Sequence, residues 1–300
     1  MADDQSVAVN SLVWITSLRE NEQGVTRRVL EDLVPYLEEL GVGVTIYEPK
    51  AADELLYMLD LIREATEGIV RPIVHIDMHG HPTNGLHIVE SGEDVPWAHL
   101  TEMFREINIR MGNTLCVVSL ACFGFHILSE GALDLTRTTP FYALIASENE
   151  IGAGAIEERA VRFYRELFEV KSLSEACVNI WDDILRVWRS EVFAFEVLIN
   201  YILRFTKGKG LRERKERLLT EARRRNVVTD ANISEFRKLV KRALRPTPGL
   251  IARTERSFFG GRKLSFTFEQ LMHVVAIAER KVRRENPHDG SRPLARVKRH

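Results

Sequence analysis

The sequence predicts an α/β fold, a mostly parallel sheet flanked by helices, followed by a basic helical C-terminal region. Three observations lead there. Up to about residue 150, short β-branched runs alternate with amphipathic stretches of helical period, the pattern of βαβ units. Beyond Ser147 the helical period dominates. The charge also changes sign along the chain: residues 1–203 hold 15 Lys and Arg against 33 Asp and Glu, and residues 204–300 hold 27 against 10, so the net charge of −1 conceals −18 and +17. The expected organisation is a sheet domain over 1–180 and a helical, basic region over 181–300.

The strands are read at Leu12–Ser17, Gly43–Tyr47, Ile73–Met78, Thr114–Ala121 and Phe141–Ser147, each rich in Val, Ile or aromatic residues. Helices fall between them. TRRVLEDLVPYLEEL carries Val29, Leu30, Leu33, Val34, Leu37 and Leu40 near a 3.6-residue period, with Pro35 expected to kink it. AADELLYMLDLIREATEG and PWAHLTEMFREINIRMG repeat the pattern, the second with Pro96 at its first turn and Gly112 at its exit. GAIEERAVRFYRELFEV and SLSEACVNIWDDILRVW follow as helices, the latter capped by Ser172 or Ser174. Residues 208–245 read as charged helices with narrow apolar stripes. RPTPGL and FFGG are breaks, FEQLMHVVAIAERKVRREN is a last helix, and the basic tail after it frays.

A chain of 300 residues that is 45% hydrophobic and 28% charged can bury a sizeable core. Three cysteines, Cys116, Cys122 and Cys177, are odd in number and irregularly spaced, which fits free thiols and a cytoplasmic location better than a disulfide framework. The acidic start MADDQSVAVNS lacks the features of a secretory signal. The longest apolar run, VFAFEVLINYILRF, is too short to span a bilayer and contains Glu196 and Asn200, so no membrane span is expected. The basic surface of residues 204–300 suits an acidic partner or nucleic acid, and equally suits docking on the acidic part of the same chain or simple solvation.

Two strand ends carry chemistry. PIVHIDMHGH closes on His79-Gly80, and TLCVVSLACFG closes on Cys122. The carboxyl ends of parallel strands share one edge, so two strands can bring a base and a nucleophile to one crevice. An imidazole can generate and hold a thiolate, and the amides of Gly80 and Cys122 suit an oxyanion hole. Ala121 and Gly124 allow the backbone to turn sharply around the thiol. Cys116, inside a strand, and Cys177, on a helix face, read as packing residues. A rival reading uses His75, Asp77, His79 and His81, which at a spacing of two lie on one face of a strand and resemble metal ligands.

The motifs MHGH at 78–81 and SLACFG at 119–124 resemble those of caspase-like cysteine proteases of clan CD, including bacterial caspase homologues and CHAT-domain proteases. In that group the catalytic histidine sits in a His-Gly motif after one strand, and the nucleophile follows Ala in an Ala-Cys motif after the next. The resemblance covers about residues 10–180. It implies His79 as the catalytic histidine, Cys122 as the nucleophile, and a caspase-like catalytic domain. Caspases and metacaspases place Gln or Asp two residues before the nucleophile, where this chain has Leu120, so their charged-residue preference does not carry over. Arg19, after the first strand, lies in the neighbourhood where caspases keep a pocket arginine, but reads better as a solvated loop residue. Asp77 and His75 are candidates to orient the imidazole and read equally as packed strand residues with local hydrogen bonds.

The expected function is therefore a cysteine endopeptidase acting on a protein or peptide substrate through an acyl-enzyme, without a cofactor. The resemblance associates such proteins in bacteria with stress, defence or cell death. The alternatives are a metal-dependent hydrolase built on the His75/Asp77/His79/His81 cluster, and a caspase-like pseudoprotease scaffold with a nucleic-acid-binding basic region.

Overall fold

A computed structural model describes residues 9–128, 133–170, 172–178, 184–230 and 232–285. The chain divides into two compact units, one of residues 1–190 with 255–263, the other of 191–254 with 264–300. The boundary thus falls at Ser190 rather than at residue 180, and a short return segment rejoins the first unit. Within that unit the Phe258 carbonyl accepts from the Thr139 amide at 2.9 Å, and Arg262 donates to the Asn113 carbonyl at 2.7 Å.

The first unit runs β1 (Ser11–Ser17), α1 (Gly24–Glu39), β2 (Gly43–Tyr47), α2 (Ala52–Ala65), β3 (Pro72–His81), β4 (Gly85–His87), β5 (Asp94–Val95), α3 (Trp97–Arg110), β6 (Cys116–Ser119), a 3-10 turn (Gly124–Leu128), β7 (Ala143–Ala146), α4 (Ala153–Val170), α5 (Leu173–Val178) and β8 (Arg186–Arg189). The order across the sheet is β2-β1-β3-β6-β7-β8, parallel except for antiparallel β8. It is an α/β fold with a mostly parallel sheet flanked by helices. Alternate strand residues face opposite layers. Leu12 and Trp14 of β1 pack with Val29, Leu33 and Leu37 of α1 and with Phe163 and Tyr164 of α4. Val13 and Ile15 pack with Leu55 and Leu59 of α2 and Leu100 and Phe104 of α3. α1 continues through Pro35, which removes the helical bond to the Glu31 carbonyl without ending the helix.

One expected element needs correction. The helix foreseen from Ser172 to Trp188 is helical only over Leu173–Val178 among its described residues, and Arg186–Arg189 pairs as a strand with β7. Val187 opposite Ile145 and Trp188 opposite Leu144 gain cross-strand packing that outweighs the local helical pattern. β4 and β5, of three and two residues, are too short to leave a periodic signal. The second unit comprises α6 (Ser190–Phe205, from Glu191 on), α7 (Gly208–Arg224), α8 (Ile233–Ala243), α9 (Gly249–Phe258, as far as Thr254) and α10 (Phe268–Glu285). Among the described residues, no helix is long and apolar enough to cross a membrane.

Candidate active site

The chain starts the sheet at β1, adds β2 on one side and returns to add β3 on the other, so the connections diverge between β1 and β3. In open α/β sheets, ligand crevices form beyond the carboxyl ends of the strands at such a point. Here the loop after β1 carries Arg19 and Glu22, β3 ends with His79 and Gly80, and Cys122 follows β6, the next strand over. Leu120 continues the parallel ladder, its amide donating to the Ile76 carbonyl at 2.9 Å.

Gly80 joins the two strand ends. A Cβ built there would lie 2.0 Å from the Cys122 carbonyl oxygen, a separation no side chain tolerates. The backbone of the His-Gly segment therefore lies directly against that of the thiol-bearing turn. β3 reaches this point because β4 pairs with its last residues, His79 opposite His87 and Gly80 opposite Leu86, and because the Trp97 indole donates to the His81 carbonyl at 2.9 Å.

The turn at Cys122 is held from both sides. Phe123 adopts φ 59°, a left-handed conformation unusual for an aromatic residue. Its amide donates to the Asn149 carbonyl at 3.1 Å, and the Phe125 amide donates to the Ser147 carbonyl at 2.8 Å. The sharp turn thus belongs to Phe123 rather than to Gly124. Gly124 is required for space, since a Cβ there would meet the Ser119 hydroxyl at 2.5 Å. The Ile151 amide donates to Cys122 Sγ at 3.4 Å, which fixes the direction of the side chain. Among the described residues, the Cys122 amide donates no hydrogen bond, which leaves it available to a developing oxyanion.

Cys122 is half-buried, whereas Cys116 and Cys177 are buried in the layer beneath α1 and α4. Burial raises both of those thiols, Cys177 to about 12, so neither ionises readily. Their reading as packing residues stands. Cys122 is the accessible thiol among the three.

His79 is oriented by a residue the sequence did not point to. Its Nε2 lies 2.8 Å from Glu22 Oε2, and that carboxylate also accepts from the Arg19 amide at 3.1 Å and from the Arg19 guanidinium at 3.3 Å. Burial pushes the Glu22 carboxyl up, but the hydrogen bonds from His79 and from the Arg19 amide outweigh it and hold the group below the usual carboxylate range. With Nε2–H directed to Glu22, Nδ1 is the nitrogen that carries the lone pair. Among the described residues, no hydrogen bond joins the ring to the Cys122 thiol.

The two residues expected to orient the imidazole do something else. His75 is fully buried, stacks on Trp14 at 3.5 Å and pairs through Nδ1 with the Tyr164 hydroxyl at 2.7 Å. Burial holds it well below the ordinary histidine range, hence neutral. Asp77 is buried and hydrogen-bonded by the Thr26 hydroxyl of α1. Burial raises it, with the Thr26 bond and the nearby His79 acting the other way. His81 turns outward to Thr83. The cluster therefore diverges instead of converging on one ion, and among the described residues no three His, Cys, Asp or Glu side chains are placed to hold a metal. Leu120, expected near a substrate pocket, is buried in the core beneath α1 and α4. Arg19 borders the site, largely exposed and paired with Glu22.

Compared with known proteins, the chain matches no protein-family model and no curated sequence.

Proposed function

We propose that the first unit is a caspase-like cysteine peptidase domain that cleaves a protein or peptide substrate through an acyl-enzyme, in a reducing compartment such as the cytoplasm. One observation supports the reading: an accessible thiol and an anchored imidazole stand at the ends of neighbouring parallel strands whose backbones touch, Gly80 lying against the Cys122 carbonyl. In this scheme His79 Nδ1 takes the thiol proton and Sγ attacks the scissile carbonyl carbon. The electron pair of the broken π bond moves onto oxygen, toward the Cys122 amide and that of Gly80. Collapse expels the amine, which receives the proton from His79. A water deprotonated by the same nitrogen attacks the thioester, and the thiolate leaves. Glu22 keeps the ring in position and stabilises its protonated form.

Turnover of a fluorogenic peptide library tests this reading. Cys122→Ala abolishes turnover with the circular dichroism spectrum and melting transition unchanged, and His79→Ala lowers it by about a hundredfold or more. Cleavage that persists in Cys122→Ala contradicts the assignment. An inert wild-type thiol together with no cleavage leaves the first unit a scaffold.

A further inference from the structure

In the second unit, α8 and the residue after its C-cap carry Arg237, Lys238, Lys241, Arg242 and Arg245, with no acidic residue between 237 and 245. At 100° per residue these positions, spaced i, i+1, i+4, i+5 and i+8, share one side of the helix. All five are exposed. The opposite side, Ile233, Phe236, Val240 and Leu244, faces inward, with Val240 and Leu244 buried.

In α7 and at its C-cap the pairing is partial: Lys209 pairs with Glu213, Arg225 with Glu221 and Arg223 with Asp230, and Arg214 lies over the Tyr201 ring and donates to its hydroxyl, while Arg212, Lys215, Arg217 and Arg224 make no ion pair among the described residues. α8 differs in that its cations form one stripe with no acid among them. Among the described residues, none of the five on α8 makes an ion pair or a side-chain hydrogen bond. Lys241 and Arg242 lie in the last turn, where they favourably oppose the helix dipole. That leaves Arg237 and Lys238, and like charges four residues apart destabilise a helix. A stripe that costs its own helix stability and has no partner in its unit points to an external anion.

We propose that the exposed face of α8 binds the phosphate backbone of a nucleic acid. Cations four residues apart are separated by about 6 Å along the helix axis, comparable with the distance between consecutive phosphates of one strand. The stripe carries no aromatic side chain, so contact is with phosphates and not with base stacks. An anionic membrane fits less well, because a helix lying in a lipid interface inserts an apolar face, and the apolar face of α8 is turned into the protein. The binding surface is independent of the peptidase reading.

Fluorescence anisotropy of a labelled mixed-sequence DNA duplex, titrated with the full-length protein at increasing salt, tests the proposal. Five neutralised phosphates give a log–log salt dependence of about −4 to −5. The variant Arg237→Gln/Lys241→Gln/Arg245→Gln lowers affinity by about tenfold or more and reduces that slope by about 3. Lys209→Gln/Arg223→Gln/Arg225→Gln removes the same net charge from paired positions and leaves affinity within about twofold. Circular dichroism melting confirms that both variants fold. Two results overturn the proposal: no binding to the duplex, whether or not phosphatidylserine vesicles or poly-glutamate bind, and equal losses in the two variants.

Discussion

Gly80 has space for a hydrogen and nothing larger, since its pro-side-chain position opens onto the Cys122 carbonyl at 2.0 Å. Gly80→Ala separates the two strand ends. It lowers stability by about 1–3 kcal/mol in urea denaturation, and a displacement of the dyad on the order of 1 Å lowers turnover by about a hundredfold. Glu22 acts through the ring it holds. Its carboxyl lies below the usual range, so the contact with His79 is complete above the ordinary carboxylate pKa and is lost as pH falls through the lowered value. On the proposed peptidase reading, the acid limb of kcat against pH contains a Glu22 component. Glu22→Ala removes that component and lowers kcat by about tenfold to a hundredfold, and Glu22→Gln restores part of the rate without the limb. An unchanged limb in the alanine variant would leave Glu22 a bystander. Asp77 has the opposite sign: burial raises it, so the folded state binds the proton more tightly and stability falls as pH rises from the unfolded value toward the raised one. Asp77→Asn keeps a partner for Thr26, flattens this dependence and raises the melting temperature at neutral pH, while Cys122 retains its reactivity. A lower melting temperature at neutral pH would mean that the Thr26 bond outweighs the burial of the charge.

At the scale of elements, the tight turn after β6 presents the thiol, and its cost sits at Phe123. Asn tolerates the left-handed region and a β-branched residue does not, so Phe123→Asn stays within about 1 kcal/mol of wild type, while Phe123→Val loses about 1–2 kcal/mol in urea denaturation. Equal losses would locate the importance of the position in the Phe123 ring, which packs edge-on to His126 at 5.8 Å. The strands and helices of the first 150 residues were legible because each buries one periodic face, as in the Leu12/Trp14 and Val13/Ile15 alternation of β1. β8 was not legible. Arg186–Arg189 carries no propensity strong enough to announce a strand, and its conformation is decided by the open edge of β7, a partner far away in the sequence. The same limit hid Glu22: a loop acid 57 positions from His79 has no sequence signal, and only the divergence of connections between β1 and β3 brings them together.

At the scale of the whole molecule, the two units carry different tasks in their composition. The sheet unit buries polar groups in several places, Thr26, His75 and Asp77 around β3 and Arg105, Asn108 and Asn113 around α3 among them, and the helical unit is the more basic of the two. His79-Gly80 and Cys122 could be found from sequence because a nucleophile and a base at strand ends need only order and spacing to be recognised. The division of labour among His75, Asp77 and Glu22 could not, because strand alternation places three of the histidine-cluster residues on one face without saying which reaches the edge. The central claim is that His79 activates Cys122. It is tested most directly by intact-protein mass spectrometry after brief, substoichiometric iodoacetamide treatment of wild type, His79→Ala and Cys122→Ala. Wild type gains one fast adduct, which is absent in Cys122→Ala and forms at least about tenfold more slowly in His79→Ala. A Cys122 that labels no faster than an ordinary exposed thiol, or at the same rate without His79, contradicts the claim.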